Sequence, residues 1–313
     1  HLPETMRTTL PEIEDFVKSV RGAGFRHAIL LGMGGSSLCP DVLRSIFPPK
    51  NSIDLRILDS TDPEAVRRIE KSIDIDRTLF IVSSKSGTTP EIVAFADYFW
   101  AKKPDGSHFA AITDPGTALE SEARQKKFRK VFLNPPDVGG RFSALSFFGL
   151  VPAALLGVDL KTYLETAHTM ARACQTNRYN PGLWLGSVMA EAALSGRDKL
   201  TIVTSPKLEL LGDWIEQLIA ESTGKIGKGI LPVGGEPALS IQKYAEDRIF
   251  VFVRDTNSST RELDRRAEEL TERGHPVVFI DVLNSVALGA EFFRWEFATA
   301  IAGSILELNP FDE

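Results

Sequence analysis

Short apolar runs alternate with amphipathic ones along this chain. Residues 26–32, 54–59, 78–84, 108–113 and 129–133 are apolar runs of strand length. Between them, residues 37–47, a segment from Asp62, residues 92–100 and residues 114–127 carry helical spacing. Asp62 reads as an N-cap with Pro63 at the first helical position. Five strands separated by helices predict a doubly wound parallel sheet, whose strand-to-helix turns open at the carboxyl edge where such sheets bind ligands. Residues 134–146 break the rhythm with Pro and Gly and read as a linker that also carries function. Residues 145–192 are helical in pattern without clear strands. The alternation then resumes, with strands at 199–204, 248–253 and 276–281 and helices at 208–222, 259–273 and 287–306. The expectation is an α/β chain of two doubly wound parallel-sheet domains with helices on both faces, divided as 1–144 and 145–313.

Several turns of this pattern are unusual in composition. "SSKSGTTPE" (residues 83–91) passes directly from an apolar strand into a helix. The unpaired N–H groups and positive dipole of a helix start favour an anion, phosphate above all. A plain N-cap needs one hydroxyl, and Ser83, Ser84, Ser86, Thr88 and Thr89 exceed that. "GMGGSS" (residues 32–37) ends the first strand. It approaches the dinucleotide pattern G-x-G-x-x-G, with Asp59 placed to hold a ribose, but Ser stands where the third glycine belongs. One phosphate or sugar held between the two neighbouring turns accounts for both. In "DVGGRFSALS" (residues 137–146), Gly139 and Gly140 let the backbone approach a ligand and Arg141 can aim a guanidinium at an oxyanion. A surface salt bridge is the other reading of that arginine. Gln217 and Glu221 are one turn apart on a predicted helix face. Trp214, Leu218 and Ile219 predict partly apolar surroundings that would raise the Glu221 pKa and suit it to general-base work; a solvated helix face is the alternative.

Composition narrows the classes. The chain has 313 residues, 43% hydrophobic and 25% charged, with net charge -6 spread along its length. That is typical of a soluble protein and argues against nucleic acid as the main partner. No apolar run reaches membrane-spanning length and no signal peptide is visible. Cys39 and Cys174 form no CxxC, and a reducing, cytoplasmic compartment is expected. No metal-ligand cluster or cofactor is implied. A chain starting at His1 and ending at Glu313 reads as a piece of a longer protein.

Together these segments resemble the phosphoglucose isomerases, whose halves are flavodoxin-like sugar-isomerase (SIS) domains. "GMGGSSLCP" resembles the family's G-x-G-G-S-x-L-G-P turn, with Cys39 in place of glycine. "SSKSGTTPE" resembles S-K-[ST]-x-T-T-x-E, and "GGRFS" fits G-G-R-[FY]-S. "QLIAESTGK" resembles Q-x-x-x-E-S-x-G-K, and "LNPFDE" the start of N-x-F-D-Q. The order of all five is also the family's. The spelling is nearer to the isomerase half of bacterial transaldolase–isomerase fusions, which implies a transaldolase domain in the full-length protein.

The resemblance implies interconversion of glucose 6-phosphate and fructose 6-phosphate through an enediolate. It assigns the sugar phosphate to Ser84, Ser86 and Thr89 with the Lys85 backbone, and sugar contacts to Gly35 and Ser36. Arg141 would stabilise the intermediate, Gln217 position the substrate, and Glu221 act as the base. It also implies two-fold pairing. Mannose-phosphate activity in the same fold, and a non-catalytic sugar-phosphate-binding regulator, are the alternatives. Two features depart from the family. The histidine that assists ring opening has no counterpart but His275, which reads as a structural turn residue. Glu313 stands at the position of the family's C-terminal glutamine, and the chain stops before its lysine.

Overall fold

The computed structural model of the chain describes residues 1–47, 53–237 and 239–311. Glu313 lies outside them. The chain forms two compact units, His1–Lys161 and Thr162–Glu313.

The first unit contains α1 (Leu2–Arg7), α2 (Leu10–Gly22), β1 (His27–Gly32), α3 (Leu38–Ile46), β2 (Asp54–Leu58), α4 (Pro63–Lys71) and β3 (Thr78–Ser83). It continues with α5 (Pro90–Lys102), β4 (Phe109–Thr113), α6 (Ala118–Gln125), β5 (Lys130–Leu133) and α7 (Phe147–Leu155). The five strands are parallel in the order β2-β1-β3-β4-β5, the flavodoxin-like arrangement. Strands β1, β3 and β4 are buried on both faces, which explains their unbroken apolar runs. Ile29, Leu31, Phe80, Val82 and Phe109 pack against Phe95 and Phe99 of α5, with the Phe80 and Phe99 rings stacked at 4.6 Å. Phe132 of β5 packs instead against Phe16 of α2 and Phe147 of α7, at 5.1 Å each. Asp62 caps α4 by accepting from the Glu64 N–H, with Pro63 behind it as expected.

The expected division at 144/145 is corrected. Helix α7, wholly buried, packs on α2 and α3 of the first unit, so its apolar residues complete that core and not the second.

Helix α8 (Leu160–Ala173) begins at the junction of the units. The second unit continues through α9 (Pro181–Leu194), β6 (Lys199–Thr204), α10 (Glu209–Thr223), β7 (Leu231–Val233), β8 (Arg248–Asp255), α11 (Arg261–Glu272), β9 (Val277–Val282) and α12 (Leu288–Ile305). Its parallel sheet has the order β7-β6-β8-β9. Relative to chain order, this repeats the first four positions of the first sheet. Phe250 and Phe252 of β8 pack against Ala267 and Leu270 of α11. Trp214 of α10 meets Phe292 of α12 edge-on at 4.6 Å. Strand β7 was not expected. Among the described residues, no helix is long and apolar enough to cross a membrane.

Candidate active site

In the first sheet the chain runs outward from β1 to β2, then crosses to β3 on the other side. The crevice between the carboxyl ends of β1 and β3 is therefore the topological switch point, where open α/β sheets place ligands. The register ends on the pair Gly32↔Ser83, so "GMGGSS" and "SSKSGTTPE" start side by side. The Ser83 hydroxyl donates to the Ser36 carbonyl at 3.3 Å and stitches the two turns together.

Within the second turn the hydroxyls shape the loop. Ser84 Oγ accepts from the Gly87 N–H at 3.1 Å and lies 3.3 Å from Thr89 Oγ1. Ser86 Oγ accepts from the N–H and hydroxyl of Thr88. Gly87 has φ +68°, a conformation costly for any residue with a Cβ. Thr89 is the N-cap residue of α5, yet its side chain makes no capping hydrogen bond. The cluster is thus more than an ordinary cap, and among the described residues the N–H groups of Lys85, Ser86 and Thr89 have no protein acceptor. Ser84 is buried, Thr89 half-buried and Ser86 exposed. Unpaired N–H groups with hydroxyls at the start of a helix make an anion cradle.

A third segment reaches the same edge. The 3-10 turn Gly140–Phe142 lies against the turn Gly34–Ser36. Arg141 is only 7% exposed, with its guanidinium carbon 5.7 Å from the centre of the Phe142 ring. That burial departs from the surface salt-bridge reading, because a guanidinium taken out of water is costly unless held. The first unit thus brings Gly35, Ser36, Ser84, Lys85, Ser86, Thr89 and the Arg141 turn together at one sheet edge.

Gln217 and Glu221 lie on α10 of the second unit. The Gln217 amide donates to Glu221 Oε1 at 2.9 Å, which orients the carboxylate. The apolar surroundings expected for Glu221 are corrected. Trp214, Leu218 and Ile219 are buried on the core side of α10, whereas Glu221 is exposed and Gln217 half-buried.

His275 is buried in the second unit, its ring edge-on to Phe250 at 5.3 Å, and Nδ1 has no partner among the described residues. Burial holds its pKa below the ordinary 6.5. This is the environment of a packed turn residue. His27, His108 and His275 all stand at the amino ends of strands, β1, β4 and β9, opposite the carboxyl edge of their sheets.

The family model described as phosphoglucose isomerase matches residues 4–229, a span that contains every candidate site residue. The chain belongs to the phosphoglucose isomerase family. A protein of Methanocaldococcus jannaschii named glucose-6-phosphate isomerase is 30% identical over 331 aligned residues, 93% of this chain and 81% of that relative. One of the same name from Synechococcus sp. is 32% identical over 243 residues; the match spans 71% of this chain but only 46% of the relative. Among solved structures, a hypothetical protein of Thermus thermophilus superposes with a TM-score of 0.88 at 25% identity, covering 100% of this chain and 85% of that one.

Proposed function

We infer that this chain is a glucose-6-phosphate isomerase, an aldose–ketose isomerase that interconverts glucose 6-phosphate and fructose 6-phosphate. The observation that carries this reading is the switch-point cradle of the first unit, in a chain of the phosphoglucose isomerase family. The hydroxyls and N–H groups of Ser84, Lys85, Ser86 and Thr89 would take the phosphate, and Gly35 and Ser36 the sugar. The phosphate is remote from the reacting carbons, so its binding energy positions the substrate and does not itself react.

In the reaction, Glu221 removes the proton from C2 of the open-chain aldose and returns it to C1. The electron pair moves onto the C1 carbonyl oxygen, giving an enediolate; the proton of the C2 hydroxyl passes to that oxygen as the C2 carbonyl forms and C1 is reprotonated. Arg141 would stabilise that charge as it develops. The Gln217 amide donates to one oxygen of Glu221 and so orients the carboxylate that would take the proton. A non-catalytic sugar-phosphate binder would need the cradle but neither Arg141 nor Glu221. Two-fold pairing, a fused transaldolase domain and a cytoplasmic setting belong to the same proposal and rest on the family resemblance and cysteine usage. The test is a coupled assay converting fructose 6-phosphate to glucose 6-phosphate with the purified chain. Turnover is expected; binding of fructose 6-phosphate without turnover would identify a sensor instead.

A further inference from the structure

The turn after β4, residues 113–117, braces the loop proposed above to hold phosphate. Asp114 Oδ2 lies 2.9 Å from Lys85 Nζ. The Asp114 N–H donates to the Lys85 carbonyl at 3.2 Å, and the Thr113 hydroxyl donates to the same oxygen at 3.3 Å. Thr113 is held in turn by the Thr117 hydroxyl at 2.8 Å. Further along the loop, Gly87 is seated so closely on the start of α6 and the residue before it that a Cβ there would lie 3.0 Å from Thr117 and Leu119. Asp114 is buried, and its Oδ1 has no partner among the described residues. A carboxylate in that setting depends on its one cation.

Two consequences follow from this geometry. First, the Lys85 ammonium is already neutralised, so the charge brought by a phosphate would be met by neutral donors. Second, the carbonyl of Lys85 is fixed toward β4. A trans peptide points its C=O and N–H in opposite directions, so the Ser86 N–H is turned away from β4. We propose that Asp114 is a positioning residue of the phosphate loop: it clasps Lys85 at both its ammonium and its carbonyl, aims the loop's N–H groups at the substrate phosphate, and keeps the ammonium out of that site. This rests on the phosphate-loop reading.

The experiment measures KM and kcat for fructose 6-phosphate, and inhibition by inorganic phosphate, on the full chain. The variants are Asp114→Asn, Lys85→Met, the double variant, and Ser84→Ala with Thr89→Ala. Asp114→Asn is expected to raise KM and the phosphate inhibition constant together by about ten-fold, with kcat within about two-fold of the starting protein. Lys85→Met should do the same, and the double variant should be no worse than either single one, because both remove one interaction. The double variant also leaves no unpaired buried charge, so it reports on the loop even if Asp114→Asn folds poorly. Tighter phosphate binding in Asp114→Asn would overturn the proposal, showing that the ammonium is itself a phosphate ligand. So would unchanged inhibition, or single effects that multiply in the double variant. If Ser84→Ala with Thr89→Ala leaves phosphate inhibition unchanged, the phosphate-loop reading itself fails. If that pair weakens inhibition and the Asp114 variants do not, only the role of Asp114 fails.

Discussion

The backbone of Gly35 lies directly under the carbonyl of Gly140: a Cβ added to residue 35 would stand 2.5 Å from the Gly140 oxygen and 2.9 Å from the Arg141 nitrogen. Both distances are inside van der Waals contact, and both involve backbone, which cannot swing aside. The glycine of the first turn therefore sets how near the arginine-bearing turn can come. Gly35→Ala is expected to push that turn outward by a fraction of an ångström to an ångström. Displacements of that size at a reacting centre cost up to about a hundred-fold. The measurements are kcat for fructose 6-phosphate and the melting temperature. A variant with normal turnover would show that the contact has no bearing on Arg141.

Arg141 itself is tested by a change that keeps its charge. Arg141→Lys retains a cation but loses the planar guanidinium fork. If the residue stabilises the enediolate, kcat falls while KM changes little, the signature of an interaction made in the transition state. The melting temperature is the control. A large drop in melting temperature with near-normal turnover would make Arg141 a structural cation of its turn.

A buried carboxyl in the second unit gives a pH dependence separate from catalysis. Glu291 on α12 is 3% exposed, and burial pushes its pKa from 4.5 to about 7 against the pull of Arg294, whose guanidinium is 3.2 Å away. Desolvation outweighs the ion pair because only one carboxylate oxygen has a partner among the described residues. With the folded value raised, the folded state binds this proton more tightly than the unfolded state. The contribution of this group is whole below pH 4.5 and is lost as pH rises to about 7. Over that window it is worth at most about 3 kcal/mol. Glu291→Gln should remove this slope, so that the variant gains stability over the starting protein between pH 5 and pH 8. Denaturant midpoints across that range check it; parallel curves would mean that Glu291 titrates normally.

Much of this architecture was readable in the chain because buried parallel strands are continuous apolar runs, and β1, β3, β4, β6 and β8 come close to that. Strand β7 is not. It is three residues long with Pro232 at its centre, and its strand character comes from pairing with β6. The glycines and hydroxyls of the first unit's site were visible as composition, since cradles need residues rare in ordinary turns. Their mutual contacts were not. The fit of Gly35 under Gly140 and the Asp114–Lys85 pair join segments distant in sequence; the pairing of β3 with β4 sets the second side by side, and the contact of two turns the first. The apolar neighbours of Glu221 misled for a related reason. Burial changes within a single turn of α10, so Leu218 and Ile219 are buried while Glu221 is exposed.

The exposure of Glu221 makes its assignment as the base the sharpest to test. Its distinguishing feature within the second unit is the bond from the Gln217 amide, which fixes one carboxylate oxygen at 2.9 Å and thereby the direction of the other. Glu221→Gln keeps the size of the side chain but removes the basic oxygen. If Glu221 shuttles the proton between C1 and C2, kcat falls by roughly 10²–10⁴-fold while fructose 6-phosphate still binds. Gln217→Ala, which removes the amide bond but keeps the carboxylate, should lower kcat much less. A helix-surface glutamate would give the opposite pattern, with both variants near normal. Rates alone do not separate proton transfer from ring opening, so the deciding readout is loss of deuterium from C2 of labelled glucose 6-phosphate to solvent. That exchange requires abstraction at C2. Exchange at the unaltered rate in Glu221→Gln would mean that another residue takes the proton, whatever the variant does to overall turnover.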